Sequence, residues 1–189
     1  MKNLLKQIEL RVPLTREEIK LVEEQFLTEE LEANTKVLEA GNRERYMYFL
    51  SSGIMRGFRN IDGKLVVEHL IDEQNFFTSI DSFTHETPSD ENFETVTPCK
   101  LLKISKSNLD FLKSYSDKWN LIIESITNEH LNCKIDRVRD FQTLSAKERY
   151  LKLIKESPNL ALNVSIENIA SFLGMEPQSL SRIRKQITF

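Results

Sequence analysis

The chain has 189 residues, 40% hydrophobic and 29% charged, enough for one large or two small globular domains and outside the range of disordered or collagen-like sequences. Its net charge of −3 is unevenly spread: residues 1–104 carry 13 basic and 19 acidic side chains, residues 105–141 six of each, and residues 142–189 seven basic and four acidic. An acidic body with a basic end suits a phosphate-bearing partner, although a solvated basic helix face explains that end nearly as well. No apolar run approaches the ~20 residues of a membrane span, and no signal-peptide core follows Met1. Cys99 and Cys133 are too few for a disulfide framework, so the expected location is cytoplasmic.

In chain order, Thr15-x-x-Glu18 is a capping box on a short amphipathic helix. Short strand-like runs then follow at 36–39, 46–51, 54–60, 64–71, 94–97 and 100–104, with Gly41-Asn42, Ser52-Gly53 and Asp62-Gly63 between the early ones. Asp-Gly supplies the positive φ of a two-residue hairpin, so the runs on either side of it should pair antiparallel. Many short strands at this spacing indicate a sandwich or barrel. Segment 85–92 is polar and turn-rich and reads as an exposed loop.

From Ser107 to Phe141 the period is helical. Leu109, Leu112, Ser116, Trp119, Ile123, Ile126, His130 and Cys133 form one seam, and Leu131, Ile135 and Val138 a second stripe. A helix of about 34 residues would span roughly 50 Å, too long to bury on a domain of this size, which favours a dimer helix. A helix broken in two and packed internally is the alternative. Beyond it, three helices are expected at 146–156, 166–172 and 177–187. Ser145-x-x-Glu148 caps the first and Ser157-Pro158 ends it; Ser165 caps the second and Pro177 opens the third.

Residues 166–186 meet the requirements of a helix-turn-helix: small Ala170 at the crossing, Gly174 for the turn, and Ile166, Ile169, Leu173, Leu180 and Ile183 facing inward. Gln178, Ser179, Arg182, Lys185 and Gln186 then face outward, where Gln can read adenine, Arg guanine, and Ser and Lys phosphate. The candidate DNA-contacting set is Pro177, Gln178, Ser179, Ser181, Arg182, Arg184 and Lys185. An ordinary helical hairpin with a polar face is the competing explanation.

These residues carry a resemblance. IASFLGMEPQSLSRIRK at 169–185, YFLSSGIMR at 48–56, Asp62-Gly63-Lys64 and Asn75-Phe76-Phe77 resemble the Crp–Fnr family of bacterial transcription regulators along nearly the whole chain. The resemblance implies an α+β chain: a cyclic-nucleotide-binding-like β jelly-roll at 1–106, a dimerisation helix at 107–141 and a helix-turn-helix DNA-binding domain at 142–189. It further implies a homodimer on a palindromic double-stranded DNA site, with RNA polymerase as a candidate partner. The dimer seam would be Leu109, Leu112, Trp119, Ile123, Ile126 and Cys133.

Two departures from the family pattern stand out. Members that bind cyclic nucleotides use a Gly-Glu pair for the ribose and an Arg-Ser/Thr pair for the phosphate; here Thr78-Ser79 and Ser89-Asp90 occupy those places. Burying a phosphate beside Asp90, Glu91 and Glu94 without a cation is prohibitive, so this effector pocket is degenerate unless Arg43, Arg45 or Arg56 substitutes. Members usually carry a two-strand wing after the recognition helix, and this sequence stops at Phe189, which should weaken each half-site.

Elsewhere His69, His85 and His130 show no metal-ligand spacing with the two cysteines, and no catalytic triad, phosphate loop or paired-carboxylate cleft is evident. The expectation is a non-enzyme without cofactor or metal: a DNA-binding regulator unresponsive to cyclic AMP. The alternatives are a sensor of the same architecture whose barrel binds a non-nucleotide effector, and an interaction module that has lost DNA binding, against which Arg182, Arg184 and Lys185 argue.

Overall fold

The computed structural model describes residues 1–187. Helix α1 (Lys2–Glu9), not anticipated from the sequence, turns Leu4 and Ile8 inward. Helix α2 (Arg16–Gln25) starts at the expected capping box, with Thr15 Oγ1 accepting from the Glu18 amide at 3.2 Å and Glu18 Oε2 accepting from the Thr15 amide at 2.7 Å.

The strands are β1 (Leu27–Leu31), β2 (Lys36–Leu38), β3 (Tyr46–Ser52), β4 (Met55–Ile61), β5 (Lys64–Ile71) and β6 (Phe76–Phe77). Helix α3 (Ile80–His85) follows, then β7 (Asn92–Thr95) and β8 (Cys99–Ser105). They form two four-stranded antiparallel sheets, ordered β1-β8-β3-β6 and β2-β7-β4-β5. The Asp62-Gly63 turn joins β4 to β5 as expected, both residues at positive φ (52° and 80°). Strand β1 hid in the sequence because Leu-Thr-Glu-Glu-Leu reads as a charged surface segment. Its glutamates are neutralised across the strand pair instead, Glu29 by Lys103 at 2.8 Å and Glu30 by Lys100 at 2.7 Å.

Strand β3 is buried on both faces, which accounts for its unbroken apolar run. Tyr48 and Leu50 face the space between the sheets with Met55, Phe77, Phe93 and Leu101. Met47 and Phe49 point the other way, into a core shared with Leu4, Ile8, Val22 and the helices that follow β8.

Those helices correct the expected dimer helix. The segment is two helices, α4 (Lys106–Tyr115) and α5 (Lys118–Thr143), separated at Ser116, which is extended (φ −157°, ψ 135°). The break reorients α5, so that Leu109, Leu112, Trp119, Ile122 and Ile126 all enter the first core. Four of the seam residues, Leu109, Leu112, Trp119 and Ile126, are therefore buried within their own chain and cannot form a subunit seam without dismantling it. Ile123 is partly buried against the same core, and Cys133 is exposed. The apolar residues left in solvent on these two helices are Phe111, Tyr115, Leu121, Leu131, Ile135, Val138 and Phe141, which include the whole second stripe.

Helices α6 (Ala146–Glu156), α8 (Ile166–Phe172) and α9 (Pro177–Ile187) have the expected bounds; α7 (Pro158–Asn163) is additional, because Ser157-Pro158 ends one helix and starts another. They enclose a third core of Tyr150, Leu153, Leu160, Ile169, Ala170, Leu173 and Leu180, which also takes Ile54 from the sandwich. Helix α8 lies along the edge strand β5, where Ser171 Oγ accepts from the Val67 amide at 2.9 Å. Arg56 bonds Asn168 at 2.7 Å and Glu94 at 2.8 Å across the same junction. Among the described residues no helix is long and apolar enough to cross a membrane. The expected lack of a wing after Ile187 falls outside the described residues.

Removing a buried aromatic from a packed core costs about 3–5 kcal/mol. Trp119→Ala should lower the urea unfolding free energy by about that amount; a variant of unchanged stability would return Trp119 to the surface.

Candidate functional site

Of the residues aligned with the family's effector pocket, Ser79 and Ser89 come together, while Thr78 turns to the Tyr46 carbonyl and Asp90 is exposed beside Arg59. Thr78 Oγ1 donates to the Tyr46 carbonyl at 2.9 Å, and Ser79 Oγ and Ser89 Oγ share a hydrogen bond of 2.9 Å with both residues buried. The expected exposed loop at 85–92 is thus only partly exposed, since Ser89 and Glu91 tuck inward. Beneath them the space between the sheets is filled by rings: Tyr48 stacks on Phe77 at 4.9 Å, Phe77 meets Phe93 at 5.4 Å, and His69 meets Phe93 at 6.1 Å.

Two buried acids flank this cluster. Glu44, 4% exposed, accepts through Oε1 from the Arg45 and Tyr46 amides and from Tyr48 Oη at 2.9, 3.1 and 3.2 Å, while its Oε2 has no partner among the described residues. Burial outweighs those donors and raises its pKa to about 7. Its amide donates to Ser82 Oγ at 2.9 Å, tying α3 to the start of β3. Glu91 behaves oppositely. Burial works to raise its pKa, but contacts with His69 and Ser79 and the charge of Arg59 win, bringing it to about 2.

The cations named as substitutes lie in two places. Arg56 is committed to Glu94 and Asn168. Arg43 and Arg45 are exposed beside Glu44 and, with Lys103, line a cavity of about 300 Å³ whose walls include Leu38 on β2 and Tyr48 on β3, one strand from each sheet. Arg59 instead gathers three carboxylates: Glu68 at 3.2 Å, Asp90 at 3.1 Å and Glu91 at 3.5 Å.

At the carboxyl end, α8 and α9 meet around buried Ala170, and Gly174 takes the turn at φ +62°. A Cβ there would lie 2.5 Å from the Phe141 ring, so both the left-handed backbone and the close approach require glycine. Ile169, Leu173 and Leu180 are buried; Ile166 and Ile183 pack against them. On the outer face Gln178, Arg182, Lys185 and Gln186 are exposed, with Pro177, Ser179 and Ser181 half-buried. Arg184 departs from the expected outward set. Its guanidinium turns inward, bonding Tyr150 Oη at 2.8 Å and the Ala161 carbonyl at 3.2 Å.

Residues 28–115 match the family model described as the cyclic nucleotide-binding domain. No curated protein sequence matches the chain. Among solved structures, the chain is similar to FixK2 of Bradyrhizobium japonicum, with TM-score 0.74 and 16% identity over 86% of this chain and 84% of that one. It is similar to the c-di-GMP-responsive global regulator CLP of Xanthomonas campestris, with TM-score 0.71 and 19% identity over 92% and 91%. It is also similar to the catabolite activator protein of Thermus thermophilus, with TM-score 0.60 and 18% identity over 94% and 85%. At these identities the likeness is one of fold.

Glu44 sets a pH dependence. A carboxyl at pKa 4.5 in the unfolded chain and about 7 in the folded one stabilises the fold below pH 4.5 and loses that contribution as pH rises through 7. The difference is roughly 3 kcal/mol. Urea titrations at pH 5 and pH 8 should show a smaller loss of stability with rising pH in Glu44→Gln than in the parent; equal losses would assign the dependence elsewhere.

Proposed function

We propose that the chain is a dimeric, sequence-specific DNA-binding transcription regulator of the Crp–Fnr type that does not respond to cyclic AMP. One observation carries the reading: the α8–turn–α9 pair, closed around Ala170 and Gly174, leaves a continuous row of Gln178, Arg182 and Lys185 in solvent. That is what a helix-turn-helix needs in order to lay its second helix in a major groove. The strand orders 1-8-3-6 and 2-7-4-5 support the jelly-roll reading of the sandwich, and the regulators of like fold support the assignment.

The negative half has its own physical basis. A cyclic nucleotide needs an interior volume and a cation for its phosphate; rings pack the space beneath Ser79 and Ser89, Arg59 is already shared by three carboxylates, and the cavity that Arg43 and Arg45 line is also walled by Glu29, Glu39 and Glu44. A specific observation keeps the sensor reading in view. An apolar cavity of about 140 Å³ lies outside the sandwich among α3, α4 and α5, lined by Phe76, Phe83, Leu109 and Ile123, where a small apolar effector would touch all three helices.

Dimerisation moves to the exposed stripe. Leu121 and Ile135 lie two heptads apart, Leu131 and Val138 one heptad apart, and all four are about half exposed on α5, whose docking on β5 and α8 through Arg137 leaves them uncovered. Leu131→Glu with Ile135→Glu should give folded monomers in sedimentation; a dimer surviving both changes would place the interface elsewhere.

In such a dimer the two α9 helices enter successive major grooves about 34 Å apart, so selection from random DNA should return an inverted repeat, unchanged by cyclic AMP. Arg182, with Gln178 one turn before it, reads bases; Ser179, Ser181 and Lys185 contact phosphate, and Pro177 presents the helix start. Arg182→Ala should cost about 1–3 kcal/mol on the selected site and relax one base position. Lys185→Ala should weaken binding to all sequences and flatten its salt dependence. Arg184→Ala should lower thermal stability rather than sequence preference. If Arg182→Ala and Lys185→Ala both leave binding unchanged, α9 does not enter the groove.

A further inference from the structure

A side-chain cluster that linear spacing conceals lies on the sandwich. Strand β5 carries one residue more than its partner β4: Gly57 opposes His69 and Phe58 opposes Val67, leaving Glu68 as a bulge. A bulge re-aims the side chain it inserts, and here Glu68 comes beside His69 instead of pointing to the opposite face. Gly57 provides the room, because a Cβ at that position would lie 3.0 Å from the His69 ring and 2.8 Å from Phe93. Glu91, from the segment before β7, completes the group. The donor atoms of Glu68, His69 and Glu91 all lie within 4.8 Å of one another.

We propose that Glu68, His69 and Glu91 form a binding site for a divalent transition-metal ion of the zinc type, a role in which Arg59 stands in when no metal is bound. The donor set is one imidazole nitrogen and two carboxylates, a mixture that suits zinc, cobalt or manganese better than the all-oxygen shells of calcium and magnesium. Two donors bound to one tetrahedral zinc lie about 3.4 Å apart, and His69 Nε2 is already 3.6 Å from Glu91 Oε1. Glu68 is a flexible side chain and closes the remaining distance by a rotamer change.

Charge points the same way. Glu68, Asp90 and Glu91 surround a single guanidinium, so three carboxylates share one arginine charge, a net −2. Arg59 is a third exposed, so that swinging it outward would release the three carboxylates to an ion, and Asp90, 73% exposed, can follow as a fourth ligand or yield to water. The donors sit on strands and on a buried loop end, so the site is held by the sheet rather than by a mobile tip.

The site adjoins the helical unit. The Glu68 carbonyl accepts from Arg137 Nη1, and Arg137 Nη2 donates to the Phe172 carbonyl at the end of α8 at 2.9 Å. An ion at the bulge would thus be felt where the helices dock; this regulatory consequence rests on the DNA-binding reading, whereas metal binding does not.

The test uses the full chain, stripped with a chelator and titrated with cobalt(II), then zinc. Expected are visible cobalt absorption bands that zinc abolishes and, by NMR, paramagnetic broadening of His69 but not of His85 or His130. His69→Gln and Glu68→Gln should each weaken cobalt binding about tenfold or more, and Arg59→Gln should tighten it. The parent-protein NMR readout decides even where a variant fails to fold. Absence of cobalt binding at millimolar concentration, or broadening centred on His85 or His130, overturns the proposal and leaves Arg59 as a structural ion-pair hub. Loss of DNA binding with cobalt binding intact would overturn the functional reading and spare the metal site.

Discussion

A single guanidinium joins the three parts of this molecule. Arg137, midway along the second half of α5, forms no salt bridge among the described residues, although the Glu68 charge acts on it; it donates to the carbonyls of Val67 and Glu68 on β5 and of Phe172 on α8. The rings of Phe172 and Phe141 lie 4.5 and 5.4 Å from its centre. Burial lowers its pKa, though an arginine remains charged at any pH where the protein folds. Such a charge is tolerable only if every carbonyl around it stays in place, so long helix, edge strand and helical unit must hold one mutual arrangement. Phe141 carries the constraint onward, lying against Gly174 at the turn before α9 and under the Arg149 guanidinium.

Around that joint the other contacts fall into order. Strand β5 is a sheet edge, and an exposed edge invites pairing with another chain. Helix α8 covers it, with Ser171 taking the Val67 amide and Arg56 clamping Asn168. The same strand carries the bulge with Glu68 and His69, and the Glu68 carbonyl is one of those that Arg137 holds.

The sandwich interior follows a different logic. Beneath the Ser79–Ser89 hydrogen bond it holds the rings of Tyr48, Phe77, Phe93 and His69. Glu44 is the exception, a buried acid with one oxygen unpaired, held beneath α3.

Local chemistry was legible in the sequence wherever a few neighbouring residues decide the outcome. The two capping boxes, the Asp62-Gly63 hairpin, and the bounds of α6, α8 and α9 all rest on contacts within about one helical turn or one reverse turn. The inward row of Ile169, Leu173 and Leu180 was readable for the same reason: helical periodicity alone places it. What the sequence could not settle were matters of competition between distant surfaces. Leu109 through Ile126 has one apolar period, and only the extended Ser116, with α1 and α2 packed opposite, decided that it faces its own chain and leaves Leu131, Ile135 and Val138 outside. Arg184 looked like a surface cation until Tyr150 lay beneath it. Glu68, His69 and Glu91 are separated along the chain and brought together by one inserted residue in β5. Periodicity determines that a face is apolar or charged; which partner covers it is decided by burial summed over the whole fold, and only the tertiary structure carries that sum.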